Sequence, residues 1–289
     1  MKMKKSTKPQ MKLAVLLSVL LIALAGAGCL GQNSGYQKIV ASGSTTVLPL
    51  MQSLSENFMD NHTDVIISVK GGGSGTGIAE LIDGTNDIAM SSREIKSSEV
   101  SDAKAKNITP VEHTIAYDGI TVIINPSNNV NSLTIEQLRK IYSGEIRNWK
   151  DVGGADKEIA VISRDSSSGT QEFFKEAVMG STEFRTDMIT QSATGAVTQE
   201  VSQNEKAIGF IGAAYQISSV KTVAINVNGT DILPTEENIL SSKYPISRGL
   251  YLYTNQTTTE EVSKFIAFIL SPDGQKIVQG MGYAPVKDV

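Results

Sequence analysis

Apolar segments of strand length alternate with amphipathic segments of helix length along residues 38–280 of this 289-residue chain. Segments 65–69 (VIISV) and 120–124 (ITVII) have the density of β-branched residues that is typical of buried strands. Before them, 48–61 has the apolar spacing of a helix with one buried face. Strands that alternate with helices form a largely parallel sheet, so we predict an α/β fold. In such folds ligands bind beyond the carboxyl ends of the strands.

Three turns that follow predicted strands are rich in glycine and hydroxyl residues. They lie at 42–46 (SGSTT), 71–77 (GGGSGTG) and within 162–174 (ISRDSSSGTQEFF). The third contains Arg164 four residues before Ser168, where an amphipathic helix is predicted to begin. Serine, threonine and glycine also cap helices and fill ordinary turns. Because the pattern occurs three times and once includes an arginine, we predict a site for an oxyanion.

Residues 1–28 are organised like a secretory signal. Five lysines precede or flank an apolar run at 13–25, which is shorter than the ~20 residues of a membrane span. Cys29, the only cysteine, follows directly and predicts a lipoprotein. The chain would be cleaved before Cys29, and a lipid on Cys29 would anchor it to the outer face of the membrane, with 29–35 as a tether. Gly26 stands where bacterial lipoproteins usually have an aliphatic residue, so plain cleavage or an uncleaved anchor stays open.

Charge and residue counts exclude several other functions. Without residues 1–28, 21 basic residues face 30 acidic ones, a net charge of −9, which is unfavourable for binding nucleic acid. One cysteine and two separated histidines, His62 and His113, do not form a transition-metal motif. We therefore predict no cofactor and no metal.

Five segments resemble the phosphate-binding subunit of phosphate ABC transporters, the PstS family. They are SGSTTVLPLM, GGGSGTGIAELIDGTNDIAMSSRE, AYDGITVIINPSN, LTIEQLRKIYSGEIRNW and ISRDSSSGTQEFF. The resemblance implies a two-lobed periplasmic-binding-protein fold of type II, with two crossover strands as hinge, near 116–122 and 247–252. It places the first lobe at 36–118 plus 250–289 and the second at 119–249.

The resemblance also implies which residues contact phosphate. They are Ser44, Thr45, Thr46, Ser74, Arg164, Ser168, Gly169 and Thr170. A shift of one ligand from Ser74 toward Thr76 stays open.

One position departs from the family pattern. Well-known members have an aspartate after the third strand that accepts the proton of bound phosphate, whereas this chain has Ser92, which we also predict to contact phosphate. Sulfate carries no proton at neutral pH, so a carboxylate acceptor rejects it. Asp118, at the start of the first crossover, is the candidate replacement, unless it only braces the hinge; Asp165 is the second candidate.

The resemblance, together with the signal segment and Cys29, thus predicts a monomeric, membrane-tethered extracytoplasmic receptor that binds inorganic phosphate and delivers it to an ABC permease, without catalysis. Two alternatives stay open. The ligand could be another tetrahedral oxyanion, namely sulfate, molybdate or tungstate. The chain could also be a secreted phosphatase, although neither histidine has a partner motif that would make it a base.

Overall fold

A computed structural model describes residues 36–287 as an α/β protein. Its strands are β1 (Gln37–Gly43), β2 (Val65–Gly71), β3 (Ile88–Ser91), β4 (Pro110–Ile124), β5 (Ser132–Leu133), β6 (Ala160–Arg164), β7 (Ile189–Gln191), β8 (Ala207–Gly212), β9 (Lys221–Val227), β10 (Thr230–Ile232) and β11 (Ser247–Asn255). Its helices are α1 (Leu48–Asn61), α2 (Ser74–Ile82), α3 (Ser97–Ala105), α4 (Ile135–Ser143), α5 (Gly169–Phe174), α6 (Thr194–Gln203), α7 (Glu236–Leu240), α8 (Glu260–Ile269) and α9 (Pro272–Gly280).

The strands pair in the order β2-β1-β3-β11-β4-β8-β6-β7, with β9 joining β4 to β5 and β10. β1 is parallel to β2 and β3, and β6 is parallel to β7 and β8. β4 and β11 run antiparallel through the middle of this order. The carboxyl ends of parallel neighbours share one edge, so the turns that follow them lie together.

The first apolar core packs α1, α8 and α9 against β1 and β2. Leu50, Leu54 and Phe58 are buried on one face of α1, as their four-residue spacing predicts. The Phe58 ring lies 5.1 Å from the ring of Phe265 in α8. Together with β3, α2 and α3, these elements form what we call the first lobe.

The second core packs α4 and α5 against β6, β8 and β9. Phe174 of α5 stacks on Phe210 of β8 with ring centroids 4.1 Å apart. Trp149 is buried here, and its Nε1 donates to the carbonyl of Lys206 at 2.9 Å. With α6 and β7, these elements form what we call the second lobe.

β4 and β11 connect the two cores. In β4, Ala116 belongs to the first core and Ile120 to the second. Leu250 of β11 belongs to the first core, whereas Ile246, directly before β11, belongs to the second. Both changes fall at the crossovers that the sequence predicts.

Several element bounds differ from the sequence predictions. The helix predicted at 48–61 has the observed bounds, but the strand predicted at 120–124 is only the last third of β4. Glu112, His113 and Asp118 interrupt the apolar pattern of its first part. Helix α2 begins at Ser74, within the glycine-rich turn.

The predicted signal segment, residues 1–28, lies outside the described residues, as do Cys29 and the tether at 29–35. Within residues 36–287, none of the helices has the length and apolar character that crossing a membrane requires.

Candidate anion-binding site

Hydroxyl groups from both lobes meet in one buried cluster. Thr46 follows β1, Ser74 begins α2 and Ser92 follows β3, whereas Thr170 lies in the first turn of α5. The Oγ1 atoms of Thr46 and Thr170 are 3.0 Å apart, and Ser92 Oγ lies 3.5 Å from Thr170 Oγ1 and 3.3 Å from Ser74 Oγ. Since every hydroxyl can donate as well as accept, the cluster can turn several donors toward one oxyanion.

The start of α5 closes this cluster from the side of the second lobe. Ser168 caps the helix, because its Oγ accepts from the backbone N–H of Gln171 at 3.3 Å. A Cβ atom at Gly169 would lie 2.3 Å from Ser74 Oγ and 2.9 Å from Ser92 Oγ. Any larger residue at Gly169 would therefore push the lobes apart.

Arg164 lies at the end of β6, next to a second pair of hydroxyls. Its Nη1 donates to Thr194 Oγ1 at 3.2 Å, and Thr194 Oγ1 is 3.1 Å from Thr45 Oγ1 across the lobes. Nε and Nη2 donate to the carbonyls of Gln191 and Ser192, each at 3.1 Å. These bonds hold the guanidinium in one orientation.

The Arg164 side chain is almost completely buried, with 4% of its surface exposed. Burial lowers the pKa of its guanidinium from the ordinary 12.5; Asp165 opposes this shift, and the positive charge of Arg248 adds to it. An arginine with a lowered pKa is still a cation at neutral pH. The site therefore offers one buried positive charge in fixed orientation.

Thr194 was missed as a candidate by the sequence analysis. The signal was present, since QSATG at 191–195 is another hydroxyl-containing turn between a strand and a helix. Strand β7, which precedes the turn, has only three residues and two exposed side chains, so no apolar pattern marked it.

Ser44 and Thr76 lie beside the cluster, and the hydroxyl oxygen of each forms a hydrogen bond within its own turn. Ser44 Oγ accepts from the backbone N–H of Thr46 at 3.2 Å and so shapes the first turn. Thr76 Oγ1 donates to the carbonyl of Gly72 at 2.9 Å. Of the two residues that the sequence left open in the glycine-rich turn, Ser74 is the one that joins the cluster.

Asp118 is buried under the cluster and paired with an arginine that the sequence analysis did not consider. Its Oδ2 accepts from Nη2 and Nε of Arg248 at 2.8 and 3.2 Å, and its Oδ1 accepts from the backbone N–H of Ala213 at 2.9 Å. A Cβ at Gly212 would lie 2.9 Å from both Asp118 Oδ2 and Thr46 Cγ2. The carboxylate therefore adjoins the site.

Asp165 shapes the turn that precedes α5. Its Oδ1 accepts from the backbone N–H of Ser167 at 2.9 Å and from the Ser167 hydroxyl. Ser167 in turn contacts the first lobe, since its Oγ lies 3.0 Å from the carbonyl oxygen of Gly72 and its carbonyl accepts from Gly75 N at 3.0 Å. Both lobes are thus in direct contact beside the site.

Ion pairs also join the lobes. Arg93, directly after Ser92, pairs with Glu99 of α3 at 2.7 Å and with Glu172 of α5, and Lys96 reaches the same Glu172. Burial alone would lower the pKa of Arg93, but its bonds to Glu99 and Glu172 outweigh burial and raise it. The sequence analysis gave these residues no role.

The two histidines take part in packing. The His62 ring stacks on Phe58 at 3.8 Å, and His113 Nε2 lies 3.0 Å from Thr254 Oγ1. Burial lowers the pKa of His113, with Glu112 opposing the shift. Among residues 36–287, no three His, Cys, Asp or Glu side chains are grouped so that they could hold a metal ion.

The fold and this site define a substrate-binding protein of the PBP superfamily, whose domain profile matches residues 31–273. Within it, the chain belongs to the PstS family of phosphate-binding proteins. Phosphate-binding protein PstS of Staphylococcus aureus (strain MRSA252) is 35% identical over 284 residues, which cover 93% of this chain and 86% of that protein. The PstS protein of Staphylococcus saprophyticus is 34% identical over 287 residues, 95% and 89% of the two chains.

Two solved structures of proteins assigned to phosphate transport have the same fold as this chain. A Clostridium perfringens protein assigned to phosphate ABC transport and solved with bound phosphate superimposes with a TM-score of 0.81 at 36% identity, covering 87% of this chain and all of the other. An ABC-type phosphate transport receptor of Vibrio cholerae gives 0.69 at 35% identity, covering 85% and 98%. The predicted two-lobed α/β fold with two crossover strands is confirmed.

Proposed function

We propose that this protein is an extracytoplasmic receptor that binds inorganic phosphate and delivers it to an ABC importer. The observation that carries the proposal is the buried site at which hydroxyls of both lobes and the Arg164 guanidinium meet. The names of its relatives in two species of Staphylococcus, and the phosphate bound to the Clostridium perfringens structure, support this ligand.

The mechanism is binding and release. Phosphate lies between the lobes and accepts from the hydroxyl and backbone groups of the three turns, while Arg164 supplies the main positive charge. The contacting residues are Ser44, Thr45, Thr46, Ser74, Ser92, Arg164, Ser168, Gly169 and Thr170, and we add Thr194 because it bonds both Thr45 and Arg164. Opening of the lobes about β4 and β11 releases the ligand.

The lobes comprise residues 36–118 plus 250–289, and 119–249. The change of core between Ala116 and Ile120 in β4, and between Ile246 and Leu250 at β11, supports both boundaries. The hinge thus lies directly beneath the site, so small rotations there open the cleft.

Asp118 supplies the proton acceptor that Ser92 does not provide. Its position beside Thr46, under Gly212, supports this role. The same carboxylate also braces the hinge through its bonds to Arg248 and Ala213. One residue would therefore serve both the hinge and the ligand. A negative charge in this place disfavours fully ionised oxyanions such as sulfate.

The chain acts outside the cell membrane as a monomer, tethered through a lipid on Cys29, and docks on the permease of its importer. The lysine-rich start, the short apolar run and the single cysteine support the anchor. Replacing Cys29 with alanine should release the protein from the membrane or leave the precursor uncleaved. Normal processing with unchanged membrane retention would contradict lipidation.

Calorimetry of the purified protein with phosphate, sulfate, molybdate and tungstate tests the ligand. We expect phosphate to bind most tightly and the others to compete weakly. Tighter binding of another oxyanion would assign the receptor to that ion. Turnover of a phosphate ester would instead favour a phosphatase.

A further inference from the structure

Arg248 and Asp118 form a buried ion pair between the two crossover strands. The residues are direct partners in the antiparallel register of β11 and β4. Each side chain is only 1% exposed, and two nitrogens of Arg248 bond one carboxylate oxygen, at 2.8 and 3.2 Å. Removing two charges from water costs several kcal/mol per ion, and an apolar pair could hold two strands together equally well. The pair therefore calls for a role besides strand pairing.

The remaining bonds of the pair lead into both lobes. Arg248 Nη1 donates to the carbonyl of Ser92 at 2.9 Å, in the turn that brings the Ser92 hydroxyl into the cluster. Asp118 Oδ1 accepts from Ala213 N, directly after the glycine that packs against Thr46. The Arg248 guanidinium also lies 5.9 Å from the ring centroid of Phe173 in α5.

We propose that Arg248 is a positioning residue of the oxyanion site, which holds the Ser92 turn and the Asp118 carboxylate in their binding orientation without contacting the ligand. This inference rests on the proposed function. A planar guanidinium suits the role, because three of its nitrogens bond two acceptors in different directions at once. The ammonium group of lysine would keep the charge without this fork.

Two variants of Arg248 separate positioning from charge. Arg248→Lys should raise the Kd for phosphate about tenfold, since one ammonium cannot serve Asp118 and Ser92 together. Arg248→Met leaves the buried Asp118 carboxylate without its cation and the Ser92 carbonyl without its donor, so it should weaken phosphate binding further.

The decisive measurement is the ratio of the Kd for sulfate to the Kd for phosphate, because a loss of stability alone would weaken the binding of both ions alike. The Asp118 carboxylate disfavours fully ionised anions only while it is held toward the site. We therefore expect this ratio to fall in Arg248→Lys and in Arg248→Met. The double variant Arg248→Met/Asp118→Asn should not lower it beyond Asp118→Asn alone, because both changes act through one carboxylate.

Arg185→Lys is the matched control, since Arg185 is also buried and pairs with a carboxylate, Asp187, outside the candidate site. Thermal unfolding monitors the fold of each variant. If Arg248→Met does not fold, the lysine variant and the double variant carry the test. Phosphate Kd values and sulfate-to-phosphate Kd ratios within twofold of the control would overturn the role of Arg248 alone. A wild-type protein that binds no phosphate would overturn this role together with the proposed function.

Discussion

Glu172 of the second lobe forms an ion pair with Arg93 of the first lobe, beside the candidate site. Each partner is close in the chain to a member of the hydroxyl cluster, since Arg93 follows Ser92 directly and Glu172 lies two residues after Thr170. The ion pair therefore joins the two lobes directly beside the hydroxyl cluster.

Glu172→Gln should speed the dissociation of phosphate. The change removes the charge that Arg93 and Lys96 share across the cleft, and a pair of this exposure contributes about 1 kcal/mol, or about fivefold in rate. Stopped-flow release measures the effect, and the rate difference should shrink in high salt. Glu183→Gln is the control, because Glu183 pairs with Lys175 on the surface. Equal release rates for the two variants would contradict a closing role.

Arg164→Ala should nearly abolish phosphate binding. A charge-assisted hydrogen bond contributes about 1.5–3 kcal/mol, and loss of the main buried charge also leaves the surrounding carbonyls of Gln191 and Ser192 without their donor. Calorimetry of Arg164→Ala beside Arg147→Ala, an exposed arginine of the same lobe, checks this. Near-native affinity in Arg164→Ala would remove Arg164 from the site.

Thr194→Val should weaken phosphate binding by about tenfold, because it removes a hydroxyl that bonds both Thr45 and Arg164 while keeping the shape of the side chain. Thr198→Val is the matched control. It lies one turn later in α6 and is also buried, but its hydroxyl bonds only the carbonyl of Thr194. If both variants bind alike, Thr194 has only a structural role.

Asp118→Asn should lower the preference for phosphate over sulfate. Asparagine keeps the shape but removes the negative charge, so a fully ionised anion is no longer repelled. Since Arg248 is then left without its partner, stability should also fall, by about 3–5 kcal/mol. The ratio of the two Kd values, measured on folded protein, is the readout. An unchanged ratio would move the proton acceptor to another residue, with Asp165 next to be tested.

Glu99→Gln should destabilise the protein at neutral pH and much less in acid. Burial alone would raise the pKa of Glu99, but its bond to Arg93 lowers it below the ordinary 4.5. The unfolded chain then binds more protons below pH 4.5, so the contribution of Glu99 is complete above this pH and is lost as the pH falls through the folded value. The free energy of unfolding in urea, compared between variant and wild type at about pH 7 and pH 3.5, measures this contribution. Glu56→Gln, at an exposed position, is the control. An equal loss of unfolding free energy at both pH values would refute the ionic role of Glu99.

Much of this molecule follows from local sequence. The apolar spacing of α1 and the β-branched density of β2 predict their structures, because each element buries one face or one short run. The hydroxyl-rich turns and Arg164 predict an oxyanion site, since groups that follow parallel strands share an edge of the sheet.

Tertiary structure alone decided how distant residues pair. Thr194 reaches Thr45 across 149 residues, and Arg248 reaches Asp118 across 130. No local pattern encodes such contacts, because they depend on the register of β4 against β11 and on how the two lobes meet. A buried charge looks the same in sequence whether it binds a ligand or braces a hinge. Only the packed structure, which sets the partner of each buried polar group, shows that Asp118 faces Arg248 and that Arg93 faces Glu172.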